Sequence, residues 1–135
     1  SEKRIKIAKK LQKEIFIKSK SNVFFKCKNA IDFILSDSHG YQVIIFNRSL
    51  YHFGEDIPKL LEAIKISKSI NEVVLVGNHD KRNMLATQHR LGEWIKYSQI
   101  KGMIEVFNLI NYKYNIVCDN KNDPIVHGVK KFVKT

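Results

Sequence analysis

Residues 57–77 read IPKLLEAIKISKSINEVVLVG, and two periodicities meet in them. Ile57, Leu60, Leu61 and Ile64 fall at i, i+3, i+4 and i+7, one face of a helix. Asp56 stands where an N-cap is expected, and Pro58 is tolerated in a first turn. Glu72–Val76 is then a short, nearly continuous apolar run closed by Gly77, as in strands covered on both faces of a parallel sheet. A helix that feeds such a strand predicts an α/β fold.

Outward from this unit the pattern continues. Upstream, Ile31–Leu35 and Gln42–Phe46 are β-rich runs separated by Ser36, Asp37, Ser38 and Gly40, so 31–46 reads as a hairpin. Downstream, Gly77-Asn78-His79-Asp80 reads as a strand-to-helix loop. Residues 82–99 read as a second helix, with Leu91, Trp94 and Ile95 on one side and Gly102 near its end. Met103–Ile110 and Tyr112–Cys118 are β-like. The order of hairpin, helix, strand, helix and strand predicts a mixed β-sheet with helices packed on its faces.

Before the hairpin, residues 3–13 read as a short basic helix with Ile5, Ala8 and Leu11 three apart. Ile15–Ile17 and Val23–Cys27 read as short strands. From Asp119 onward the chain turns polar, then basic, and is expected to be extended. The expected organisation is therefore a basic N-terminal extension over 1–28, an α/β core over 29–118, and a basic C-terminal tail over 119–135.

Of 135 residues, 44% are hydrophobic and 27% charged, which suits one folded domain with a real core. No apolar run reaches the roughly 18–20 residues that cross a bilayer, and no apolar segment of signal-peptide type follows the charged start. The net charge is +11, and its placement is more telling than its size. Residues 1–28 hold ten Lys/Arg against two acids, a net of +8. Residues 29–112 hold nine of each, and residues 113–135 hold five against two, a net of +3. All the excess lies at the ends, where charge blocks act as interaction tails. A polyphosphate is their natural partner, because every phosphate neutralised releases counterions. The tails lack the Trp/Phe/Leu stripe of an interfacial helix, so no membrane partner is expected.

Asp37-Ser38-His39, Gly77-Asn78-His79-Asp80 and His52-Phe53-Gly54-Glu55-Asp56 carry the residue types of a metal site. Together they resemble the motif series of calcineurin-like metallophosphoesterases. That resemblance would give Asp37, His39, Asp56, Asn78 and His79 to two metal ions that activate water against a phosphate ester. Against it, Glu55 interrupts the metal-bridging Gly-Asp pair, and His127-Gly128-Val129-Lys130 offers one histidine where the family has two. Read as structure alone, Asp37 and Gly40 are turn residues and Asn78 or Asp80 a helix cap. Cys27 and Cys118 form no CxxC pair, so zinc is not expected; one disulfide stays open, with two buried thiols as the default. No GxSxG or P-loop occurs. His89 and His127 read as surface or core residues.

A second resemblance covers most of the chain. Asn29–Phe53, NAIDFILSDSHGYQVIIFNRSLYHF, resembles the first hairpin of the small-subunit ribosomal protein S-eleven family, which begins with Asn, reaches an Asp, turns at a Gly and arrives at a Phe. Asn29, Asp37, Gly40 and Phe53 stand at those places. A proline-led helix matches Pro58, a strand ending in Gly matches Val73–Gly77, and an Arg opening the second helix matches Arg82. A Gly before the last strand matches Gly102. Pro124, His127, Gly128, Lys130 and Lys131 resemble the family's ending. The chain departs from the family at Gly54-Glu55-Asp56, where a basic glycine-rich loop is usual, and over Tyr112–Asn122, which is extra.

This resemblance implies a structural, non-enzymatic constituent of the small ribosomal subunit. Its partners would be small-subunit rRNA on the platform, neighbouring ribosomal proteins, and mRNA near the exit side, with no cofactor and no small-molecule substrate. Twenty Lys against four Arg, with abundant Ile and Asn, fits an AT-rich coding genome and a mitochondrial ribosome. Charge and resemblance together designate RNA-binding candidates. In the leader these are Lys3, Arg4, Lys6, Lys9, Lys10, Lys13, Lys18, Lys20, Lys26 and Lys28. In the core they are Arg48, Lys81 and Arg82, and at the end His127, Lys130, Lys131 and Lys134. Tyr112, Tyr114 and Phe132 are candidates to stack on bases or to pack in the core. Some other nucleic-acid-binding module with the same tails is the remaining reading.

Overall fold

Asn29 opens the core by capping a helix. Its side-chain oxygen accepts from the Ile31 and Asp32 amides at 3.0 and 3.2 Å, satisfying two of the donors that a helix start leaves unpaired. The helix that follows, α2 (Ala30–Leu35), buries Ile34. It stands where the first strand of a hairpin was expected. In the computed structural model, which describes residues 1–19, 29–36, 40–77 and 92–131, α2 is preceded by α1 (Glu2–Ser19). Ile15–Ile17 therefore lie in a helix and not a strand, while Val23–Cys27 fall outside the described residues.

After α2 come β1 (Val43–Asn47), a 3-10 segment over Leu50–Asp56, α3 (Ile57–Ile66) and β2 (Glu72–Val76). The expected helix and strand are both present. Asp56 holds the N-cap position of α3 but makes no side-chain capping bond. Ile57, Leu60, Leu61 and Ile64 are all buried, as their spacing requires. β2 is covered on one face only: Val73 and Leu75 are buried, whereas Glu72, Val74 and Val76 are half-exposed.

The chain continues through a 3-10 segment over Gly92–Ser98, α4 (Ile100–Leu109), β3 (Tyr112–Cys118) and β4 (Ile125–Lys130). Residues 92–98 form a tight 3-10 stretch and not the end of a long α-helix; 82–91 lie outside the described residues. Met103–Ile110 is mostly helix, because Met103, Val106, Phe107 and Ile110 fall at i, i+3, i+4 and i+7 and all four are buried. Gly102 does not end a helix. It lies inside α4, where a Cβ would stand 2.0 Å from the Lys96 carbonyl oxygen, so glycine permits the close approach of α4 to the preceding segment.

The sheet runs β1-β2-β4-β3. β1 and β2 are parallel, with Ile45 beside Val74. β2 and β4 are antiparallel, with Val74 beside His127, and β3 and β4 are antiparallel, with Tyr114 beside Gly128. The last strand in sequence is thus inserted between two earlier ones. Residues from Asp119 onward are accordingly not all an extended tail: Ile125–Lys130 are a central strand, with Val126 fully buried. The turn from α4 to β3 passes through Asn111 at φ 59°, a left-handed conformation that asparagine tolerates.

The core lies between the sheet and α3 and α4. Leu60 and Ile64 of α3, Val106 and Phe107 of α4, Val73 and Leu75 of β2 and Val126 of β4 form its centre. The Phe107 ring lies directly over Gly128 and stacks beside Tyr112 and Tyr114, with centroids 6.4 and 6.2 Å away.

Candidate nucleic-acid interface

The strongest concentration of cations is on α1. Lys3, Arg4, Lys6, Lys9 and Lys10 are exposed, whereas Ile5 and Ala8 are half-buried. Lys3, Lys6, Lys10 and Lys13 are spaced i, i+3, i+7 and i+10, so their positions share one helix face. At about 1.5 Å per residue they run about 15 Å along the axis. Lys18 is also on α1, whereas Lys20, Lys26 and Lys28 lie outside the described residues.

This arrangement works against the helix that carries it. Lysines three and four apart repel, by roughly 0.2–0.5 kcal/mol per pair. Lys3 and Arg4 also sit in the first turn, where the helix dipole is positive and favours anions; Glu2 is the acid there. A polyanion along the lysine face removes both penalties at once.

The core and C-terminal candidates behave differently. The Arg48 guanidinium is paired with the Asp123 carboxylate, and its main-chain N–H donates to the Val76 carbonyl at 2.8 Å. His127 lies 3.2 Å from Glu72. Its register partner is Val74, so the pair is a diagonal contact on the open face of the sheet. The Lys130 ammonium donates to the Ser67 carbonyl at 2.7 Å, tying the end of β4 to the loop after α3. Lys131 is exposed. Lys81, Arg82 and Lys134 lie outside the described residues. The partners Asp123, Glu72 and Ser67 are not visible in the sequence, because each contact spans more than fifty residues and depends on β4 entering the sheet.

The aromatic candidates divide in the same way. Tyr112 is buried, and its hydroxyl donates to the Ile70 carbonyl at 3.2 Å; burial pushes its phenol up to about 12. It packs in the core and presents no face to a base. Tyr114 is 39% exposed, with its ring stacked on Phe107. Phe132 lies outside the described residues.

Of the residues assigned to a two-metal site, Asp37, His39, Asn78 and His79 lie outside the described residues, and Asp56 is exposed at the start of α3. Among the described residues no group of His, Cys, Asp or Glu is placed to hold a metal ion. Cys118 is a free thiol, half-buried rather than buried; Cys27 is outside the description. Among the described residues no helix is long and apolar enough to cross a membrane. No protein-family model and no curated protein matches the chain.

Proposed function

We propose that this protein is an RNA-binding structural constituent of the small ribosomal subunit, of the mitochondrial type, and that it performs no catalysis. The observation that carries the reading is the separation of charge: a cationic helix at one end of a core whose own charges balance. α1 offers a face of lysines to successive phosphates, and an anion bound along it relieves its self-repulsion. Recognition by such a face follows phosphate position and RNA shape rather than base identity. The sequence likeness of residues 29–53, of the proline-led helix and of the Pro-His-Gly-Lys ending to the ribosomal protein S-eleven family suggests the subunit and the rRNA platform as the site of action, although residues 30–35 form a helix and not the first strand of a hairpin.

In this reading α1 and Lys131 contact RNA, whereas Arg48, His127 and Lys130 are engaged within the domain by Asp123, Glu72 and the Ser67 carbonyl. The test is co-sedimentation of the protein with small ribosomal subunits at moderate salt. The expected result is retention on the particle and release on nuclease treatment. Recovery in the supernatant, or manganese-dependent hydrolysis of a phosphodiester that His79→Ala abolishes, would overturn the proposal.

A further inference from the structure

We propose that the corner of the sheet carrying Lys113 and Lys131, on the face away from the core, is a second contact for the phosphate backbone of RNA, made by the folded domain itself. The inference rests on the RNA reading above and extends it from α1 to the sheet.

The register of β3 on β4 builds this corner. Lys113 stands opposite Val129 and Asn115 opposite His127. Side chains alternate along a strand and Tyr112 is buried, so Lys113 and Asn115 share the outer face with His127, about 7 Å apart along β3. Lys131 follows the last residue of β4, two positions past Val129. That places it diagonally from Lys113, roughly 7–8 Å away. Lys113, Asn115 and Lys131 are exposed, and Val129 beside them is 38% exposed. Lys130 takes the other face, where its ammonium donates to the Ser67 carbonyl, and is not part of the corner.

Charge selects the occupant. Lys113 and Lys131 lie within a Debye length of each other, about 10 Å at 0.1 M salt, and so repel. Their surroundings give little relief. Among the described strand residues the acid on this face is Glu72, two strands from Lys113 or about 10 Å away, and His127 already stands 3.2 Å from it. The C-terminal end of α4, just before β3, contributes about half a negative charge. β3 is the outermost strand, where a lysine deters strand pairing. That role accounts for Lys113 but not for Lys131, which lies beyond the end of β4. A phosphate strand neutralises both. Each ammonium reaches a phosphate on its flexible stem, and the Asn115 amide beside them can donate to a phosphate oxygen or a ribose hydroxyl. The pairing of β3 with β4 assembles this corner from residues eighteen apart in the chain, on a rigid surface.

The test uses the full chain and a short RNA hairpin. Lys113→Gln combined with Lys131→Gln should make the slope of log K against log salt shallower by about 1.4 to 1.8, at about 0.7–0.9 counterions released per contact. Lys65→Gln combined with Lys101→Gln removes the same charge from exposed positions on α3 and α4, and should change the slope by less than half as much. Urea midpoints of both double variants should match the parent. The unaltered chain gives an independent readout: the bound hairpin should shield the Lys113 and Lys131 amines from acetylation and leave Lys65 and Lys101 reactive. The proposal is overturned by an unchanged slope in the Lys113 and Lys131 variant, by an equal change in the Lys65 and Lys101 variant, or by acetylation of Lys113 that RNA does not slow. If glutamine at the α1 cations makes the slope shallower and the corner variant does not, the corner alone fails. If the hairpin does not bind the parent chain, the RNA reading fails with it.

Discussion

Replacing Gly128 by alanine should destabilise the protein by about 1–2 kcal/mol, through one contact. A Cβ there would stand 2.2 Å from Phe107 Cε1 and 2.4 Å from Cδ1. Carbon atoms pack at roughly 3.5–4.0 Å, so the ring would have to retreat by more than about 1 Å. It has nowhere to go, since Phe107 is fully buried and stands beside Tyr112 and Tyr114. Overpacking of this kind costs about 1–3 kcal/mol. The alanine recovers about 0.5–1 kcal/mol, because glycine within a strand loses more backbone entropy on folding. The chain has one tryptophan, Trp94, half-buried and stacked on Tyr97, so urea unfolding followed by its fluorescence reports the transition. With a slope of about 2 kcal/mol per molar urea, the midpoint should fall by roughly 0.5–1 M. Phe107→Leu, smaller at the contact, should reduce the penalty of the alanine, giving a favourable coupling in the double-mutant cycle. A neutral or stabilising Gly128→Ala, or strictly additive single effects, would refute the packing described for this face of the sheet.

Alkaline pH tests Tyr112. Its phenol keeps its proton to about pH 12 in the folded state, whereas in the unfolded chain it titrates near 10.0. The folded state binds the extra proton between those values, so stability is fully present below pH 10 and falls as pH rises through 12, by about 2–3 kcal/mol. Tyr112→Phe should remove that slope from urea midpoints measured at pH 9 to 12, and an unchanged slope would count against it. Lys130→Met keeps the aliphatic stem but leaves the Ser67 carbonyl without its ammonium. It should cost about 1–2 kcal/mol of stability with little effect on RNA affinity; intact stability with weakened RNA binding would make Lys130 an RNA contact instead. Because β4 ends at Lys130, removing residues 132–135 should leave the fold intact, whereas removal from Val129 onward should abolish the cooperative transition.

The elements legible in the sequence were those whose apolar spacing matched one period cleanly. Ile57, Leu60, Leu61 and Ile64 have no competing strand pattern, and Glu72–Val76 is too short and too apolar for a surface helix. α4 failed for a different reason. Met103, Val106, Phe107 and Ile110 carry the helical period, but Ile104, Val106 and Phe107 also raise β-propensity and so disguise it. In α2, Asn29 ahead of Asp32 is a cap pattern that the β-branched and aromatic residues around it mask. β4 was hidden because its partners are distant. Ile125, Val126, His127, Gly128 and Val129 look like a mixed tail until Phe107 is known to require a glycine beneath its ring. The cationic end was legible because charge is additive and local. The pairing of Arg48, His127 and Lys130 was not, since it depends on tertiary register.

The account rests on phosphate neutralisation by α1, and the salt dependence of RNA affinity measures it most directly. Changing Lys3, Arg4, Lys6, Lys9 and Lys10 to glutamine removes five exposed cations from one helix. At about 0.7–0.9 counterions released per contact, the slope of log K against log salt should become shallower by about 3.5 to 4.5 if all five contact phosphates. Affinity for unrelated RNA sequences should fall together, while the urea midpoint of the core stays where it was. An unaltered salt slope in that variant, with the core still folded, would contradict the claim that this helix grips RNA.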